Sequence, residues 1–165
     1  MSHQETVLGW LKDAYGLETS LVVSLQNHAK DMSAMPAARA RIEQHITETQ
    51  RHAELIQGCI ERLGGEVSAI KTGIANITGM IKEVPMAVSA DEIVKNTLAD
   101  YASEHFEIAC YISLIAAAQV LGDQQTAQVC QQILRDEIAM AQWLEQQIPV
   151  VTQHYLGEQV REHGA

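Results

Sequence analysis

The stretch DEIVKNTLADYASEHFEIACYISLIAAA, residues 91–118, carries the reading that decides the fold. Ile93, Tyr101, Ile108, Tyr111, Ile112 and Ile115 recur at three- and four-residue steps and their sums, the spacing that lines up one stripe of an α-helix. The run is far longer than a strand and never alternates with period two. Ser89 is the expected N-cap, Asp91 and Glu92 suit the positive end of the first turn, and Gly122 closes the helix. A stripe bound for a core should be apolar, yet Glu104, His105 and Glu107 stand among Tyr101, Ile108 and Tyr111. Buried carboxylates are costly unless they are paired or bound to metal.

Outward from this helix the same periodicity continues over nearly the whole chain, so the expected class is all-α. A first helix is expected from about Gln4 to Met32, with Leu8, Leu11, Tyr15, Val22, Leu25 and Ala29 on its stripe. A second is expected from Pro36, after a Ser33 cap, to Leu63, where Gly64-Gly65 ends it; Ile42, Thr49, Ile56, Cys59 and Leu63 form its stripe. Residues 64–90, with Gly73, Gly79 and Pro85, read as a connection holding one short helix from about Val67 to Lys82. A fourth long helix should run from Gln124 to Ile148 on Val129, Ile133, Met140 and Leu144, with Pro149 stopping it and one further short helix in residues 150–165. Two long helices, a long crossover and two more long helices is the connectivity of a ferritin-like four-helix bundle. At 165 residues the chain is read as a single domain, residues 1–165, with its core bundle at about 4–148.

Composition narrows the partners. A formal net charge of −10 with scattered Lys and Arg argues against nucleic acid and anionic lipid. No apolar run is read as approaching the roughly 18 residues of a membrane span, and the N-terminus lacks a basic start followed by an apolar run, so a soluble, unprocessed chain is expected. Cys59, Cys110 and Cys130 are odd in number and far apart among apolar neighbours, which predicts reduced, structural thiols and a cytoplasmic location. Exposed helix faces make a homodimer the expected assembly.

Each long helix also carries an ionisable residue in or beside its stripe. Glu18 lies between Tyr15 and Val22, His45 and Glu48 are neighbours one turn apart, and Glu137 stands among Ile133, Met140 and Leu144. Each of these, with Glu104 and Glu107, falls near the middle of its predicted helix. In an antiparallel bundle the midpoints share one level, so the carboxylates converge on one core layer and need a counter-charge. Two divalent ions supply about +4, and carboxylate with imidazole suits iron or manganese. His52 and His105 are expected to be structural, or to support a ligand from behind. Tyr101, Tyr111 and Trp143 are expected to pack in the core.

The segments RIEQHITETQ (41–50), DEIVKNTLADYASEHFEIACYISLIAAA (91–118) and ILRDEIAMAQWL (133–144) resemble the YciE/YciF-type branch of the ferritin-like superfamily, and the YciE type more closely. The resemblance covers about Leu11 to Ile148. It implies a bacterial cytoplasmic bundle linked to stress responses, of undetermined activity, with a centre of two metals usually assigned as iron. It also implies Glu18, His45, Glu48, Glu104, Glu107 and Glu137 as ligands, and only the resemblance moves Glu107 inward, because its helical angle puts it at the edge of the stripe. The Glu-x-x-His pairs usual on the second and fourth helices are missing, since Arg51 follows Glu48 and Met140 follows Glu137 at that spacing. The implied site is therefore rich in carboxylates and poor in histidine, and manganese is the alternative metal.

Two functions of different class follow. One is an oxidoreductase that oxidises ferrous iron or reduces peroxide, with oxygen as another oxidant. The other is a non-enzymatic, metal-stapled scaffold or stress-associated binding protein. Storage of iron in a large cage is a weaker third reading.

Overall fold

The structure, a computed structural model, describes residues 2–67 and 91–163. Four long helices make up these residues: α1 (His3–Asp31), α2 (Pro36–Arg62), α3 (Glu92–Leu121) and α4 (Gln124–His163), with a short 3-10 helix, Met32–Ala34, between the first two. The short helix read between Val67 and Lys82 and the Ser89 cap lie outside the described residues.

Local chemistry sets the helix ends. Ser2 accepts from the backbone N–H of Glu5 while the Glu5 side chain accepts from the Ser2 N–H, a reciprocal cap that starts α1. Pro36 occupies the first turn of α2, where its missing N–H costs nothing. Ser33 does not cap that helix: it sits in the 3-10 turn, and the N-cap position is Met35. α3 ends on Gly122 at φ 71°, a left-handed conformation open to glycine at little cost. Asp123 then accepts from the Thr126 N–H at 3.1 Å and opens α4.

Cross-helix contacts fix the directions. Asp31 meets Asn96, His28 meets Asp100 and Glu18 meets Tyr111, so α1 and α3 are antiparallel. Arg62 meets Asp123 and His52 meets Asp136, so α2 and α4 are antiparallel as well. With α1 and α2 antiparallel across their short link, α2 and α3 run the same way. The end of α2 and the start of α3 therefore lie at opposite ends of the bundle, which is what separates a ferritin-like bundle from an up-and-down one.

Two buried apolar clusters bracket the middle of the bundle. One holds Leu11, Ile56, Ile60, Leu114 and Ile133; the other holds Leu25, Ile42, Met140, Leu144 and Val151. Leu144 is wholly buried, so Leu144→Ala should lower stability by about 2–5 kcal/mol, read from the midpoint of urea unfolding; a loss below about 1 kcal/mol would refute this packing.

Three expectations change. α4 does not stop at Pro149 but runs on to His163 as one helix, so no separate C-terminal helix forms. Proline forfeits one hydrogen bond, to the carbonyl four residues back at Glu145; both residues are on the exposed side, while Val151, fully buried, anchors the continuation in the second cluster. On α3 the expected apolar stripe is rotated: Ile112 is 55% exposed, and the buried face is Thr97, Asp100, Ser103, Glu104, Glu107, Tyr111, Leu114 and Ala118. α3 is also long and apolar enough, by length and composition alone, to cross a membrane, where no such stretch was expected. Its inner face nevertheless carries three carboxylates, which are expensive in hydrocarbon, and Asp100 and Glu104 pair with His28 and His45.

Candidate metal centre

Between the two apolar clusters lies a buried polar layer fed by all four helices. α1 gives Glu18, α2 gives His45, Thr49 and His52, α3 gives Glu104 and Glu107, and α4 gives Glu137; each is at most 2% exposed. Their heteroatoms form two groups, Glu18–His52–Glu137 and His45–Glu104–Glu137, in each of which one ligand atom per residue lies within 4.8 Å of the others. Glu137 belongs to both. Its Oε1 is 2.8 Å from His52 Nδ1 and its Oε2 is 3.7 Å from His45 Nε2, so the carboxylate reaches one group with each oxygen.

Both imidazoles are braced from behind. His45 turns Nε2 toward Glu104 at 3.1 Å while its Nδ1 is 3.0 Å from Glu48. His52 turns Nδ1 inward while its Nε2 is 3.1 Å from Asp136. A carboxylate behind a histidine fixes the ring and raises its basicity, the usual support for a metal-bound imidazole. Glu48 is thus set apart from the other residues singled out in the sequence: it is one-quarter exposed, held by Arg41 and Gln44, and, among the described residues, hydrogen-bonds to the buried layer through His45. His105 lies on the exposed side of α3, its ring edge-on to Tyr101 at 4.5 Å. His52, expected only to be structural or to support a ligand from behind, thus faces the layer itself, and Asp136 was not singled out at all. Thr49 in an otherwise apolar stripe was the signal available, because His52 follows it by one turn on the same face.

Unsatisfied atoms test whether metal suits this layer. Of the eight buried side-chain polar atoms without a hydrogen-bond partner among the described residues, six are here: Glu18 Oε2, His52 Nδ1, Glu104 Oε2, Glu107 Oε1 and both oxygens of Glu137. His52 Nδ1 lies 2.8 Å from Glu137 Oε1 but not in hydrogen-bond geometry. Native interiors leave few such atoms, and a cluster of acceptors from four helices is what two cations would satisfy. The residues fit. Four carboxylates and two neutral imidazoles carry a charge of about −4, which two divalent ions balance. The inventory equals that of Glu-x-x-His bundles, but redistributed: α2 gives both histidines and α3 gives two carboxylates.

Without metal, protons must do the balancing. Burial opposes charge on His45, but hydrogen bonds with Glu104 and Glu48 outweigh it and raise the ring to about 10. His52, likewise desolvated but held by Glu137 and Glu18, rises to about 11. Burial lifts Glu104 to about 8 against the pull of His45, and it lifts Glu107 well above the carboxylate range with help from the charges of Glu137, Glu18 and Glu104. Glu137 is lowered instead, its burial outweighed by His52 and Glu104. At His45, His52, Glu104 and Glu107 the raised pKa values mean that the folded, metal-free chain binds protons more tightly than the unfolded one. The stability contributed by Glu104 and the two histidines is fully present below their unfolded values of 4.5 and 6.5, and should be lost as pH rises through about 8 and on to 10–11. Urea midpoints of the metal-free protein from pH 6 to 10 check this, and a rising or flat profile would contradict it.

A buried layer of carboxylates and histidines at the centre of four helices with a long crossover defines a ferritin-like carboxylate bundle suited to two metal ions. The chain belongs to the family described as domain of unknown function DUF892, which matches residues 2–157, and the resemblance to YciE/YciF-type proteins is borne out. A Xanthomonas campestris protein of known structure is 33% identical, with a TM-score of 0.80 over 96% of this chain and 99% of that one. The Escherichia coli stress protein YciF aligns at 20% identity and TM-score 0.71, covering 93% of this chain and 98% of that one. A Desulfovibrio desulfuricans bacterioferritin, described with a diiron site in different catalytic states, aligns at 23% and 0.72, covering 94% and 87%. At those identities the last two speak to the fold.

Proposed function

We propose that this protein is a cytoplasmic di-iron oxidoreductase that oxidises ferrous iron or reduces peroxide, with manganese as the alternative metal. The observation that carries this reading is the concentration of six partnerless buried polar atoms in one layer that also holds two ligand groups joined by Glu137. Two iron ions held there would supply two electrons, one each on passing from ferrous to ferric, which with two protons convert one peroxide to two waters. Glu18, His52 and Glu137 would hold one ion, and His45, Glu104 and Glu137 the other. Glu107, fully buried between these groups' charges, is the remaining carboxylate available to either. Tyr111 donates its hydroxyl hydrogen to Glu18 Oε1, which leaves Oε2 free to face the layer. The apolar clusters on both sides exclude bulk water and so strengthen every electrostatic interaction within.

The test is elemental analysis of protein purified without a metal-binding tag, followed by peroxide-dependent oxidation of added ferrous iron. About two iron or manganese per chain is expected, with oxidation that vanishes in Glu18→Ala and Glu137→Ala. A folded protein that stays empty after anaerobic ferrous loading would sink the reading. Two ions without turnover would leave the metal as a structural staple.

A further inference from the structure

Two of the partnerless buried polar atoms among the described residues lie outside the layer, and one of them is Oδ2 of Asp100 on α3. Asp100 is 3% exposed and stands one turn before Glu104 on the buried face of that helix, so it borders the layer without belonging to either ligand group. Its Oδ1 is 2.6 Å from Nδ1 of His28 on α1, a side chain that is 17% exposed. A buried carboxyl beside the layer is thus joined to solvent through a single imidazole. The charges that act on Asp100 are those of His28 and, from within the layer, His45. Burial raises Asp100 against the pull of both rings. Burial opposes charge on His28, but its bond to Asp100 and the charges of Asp100 and Asp31 outweigh it and raise that ring as well. The pair holds a proton more firmly than free side chains do.

We propose that His28 and Asp100 form the relay by which protons reach the buried layer from solvent. This rests on the peroxide-reducing reading above, which consumes two protons for each peroxide. The apolar clusters on both sides of the layer keep bulk water from delivering them. His45 and His52 do not serve, because each would give its inward nitrogen to an ion and keep one ring proton, held by Glu48 or Asp136. His28 belongs to neither ligand group, so both of its nitrogens can take and give a proton. Water protonates the ring at Nε2, and the imidazolium gives its Nδ1 proton to Asp100 Oδ1. The carboxyl, once turned, passes that proton on toward Glu104. The ring then turns to bring its remaining N–H to Asp100, so that one proton has moved inward and only N–H and O–H bonds have changed.

The full chain is loaded anaerobically with ferrous iron, counted by elemental analysis, and mixed with peroxide while ferric absorbance is followed. His28→Ala and Asp100→Asn should keep both ions and form the ferric pair about tenfold or more slowly. Added imidazole should restore His28→Ala in a saturable way and leave Asp100→Asn slow, which a packing defect would not do. A readout without turnover is the 15N spectrum of the zinc-loaded chain, in which the His28 ring should titrate above 6.5 and Asp100→Asn should bring it down. Wild-type ferric formation in either variant, or a slowed His28→Ala that imidazole does not restore, would overturn the relay and leave the metal centre standing. So would a His28 ring fixed in one protonation state from about pH 5 to about pH 9. Failure of wild type to load, or to react with peroxide once loaded, would overturn the reading above and this one with it. Where Asp100→Asn does not fold, His28→Ala with imidazole decides by the same criterion, since that ring lies partly at the surface.

Discussion

Replacing Glu137 with glutamine is expected to release both metal ions together, whereas Glu18→Gln and Glu104→Gln should each weaken one. The asymmetry follows from position: Glu137 alone is common to both ligand groups, one oxygen toward each. The amide keeps the volume but removes a charge and turns one acceptor into a donor. Loss of a carboxylate behind a ligating histidine costs about 10–100-fold in metal affinity, so loss of the shared ligand should exceed about 100-fold at both positions. Competition with a chromophoric chelator, together with elemental analysis, reads this directly. One ion retained at full affinity in Glu137→Gln would show that the two groups are independent.

The second large effect runs opposite to ordinary core substitutions. Glu107→Met should stabilise the metal-free protein by about 1–4 kcal/mol while weakening metal binding. Glu107 is 2% exposed, its Oε1 has no partner, and it faces the charges of Glu137, Glu18 and Glu104. Methionine fills a similar volume without a charge to desolvate. Differential scanning calorimetry of chelated protein should show a higher Tm, by about 2–4 °C per kcal/mol for a chain of this size. A lower Tm for the metal-free variant would mean that Glu107 is satisfied without metal.

These two residues also mark how far the sequence could be read. The four helices follow from periodicity and punctuation, and the observed ends at Asp31, Arg62 and Leu121 fall within a residue or two of the expected ones, because capping and glycine chemistry is local. Pro149 misled for the converse reason: its cost is local, but the anchoring of Val151 in the second cluster is tertiary. On α3 the apolar stripe pointed to Ile112 and away from Glu107, and the structure reverses both. A helix that buries Asp100, Glu104 and Glu107 breaks the correspondence between apolar and inward on which periodicity arguments depend. Only the resemblance placed Glu107 inside. His52 was given only a structural or supporting part because a histidine beside an apolar stripe is ordinary, and Asp136 escaped notice because its partner lies 84 residues away.

His52 is gripped by two consecutive residues of α4, Glu137 in front at Nδ1 and Asp136 behind at Nε2. Successive residues project about 100° apart around a helix, so the pair fits a single ring only at one rotational setting of α4 about its own axis. A small roll of α4 in either direction would loosen one contact as it tightened the other. The ring's two nitrogens thus act as a gauge of helix rotation, and their separate 15N shifts would register in sign as well as size any turning of α4 that accompanies metal loading.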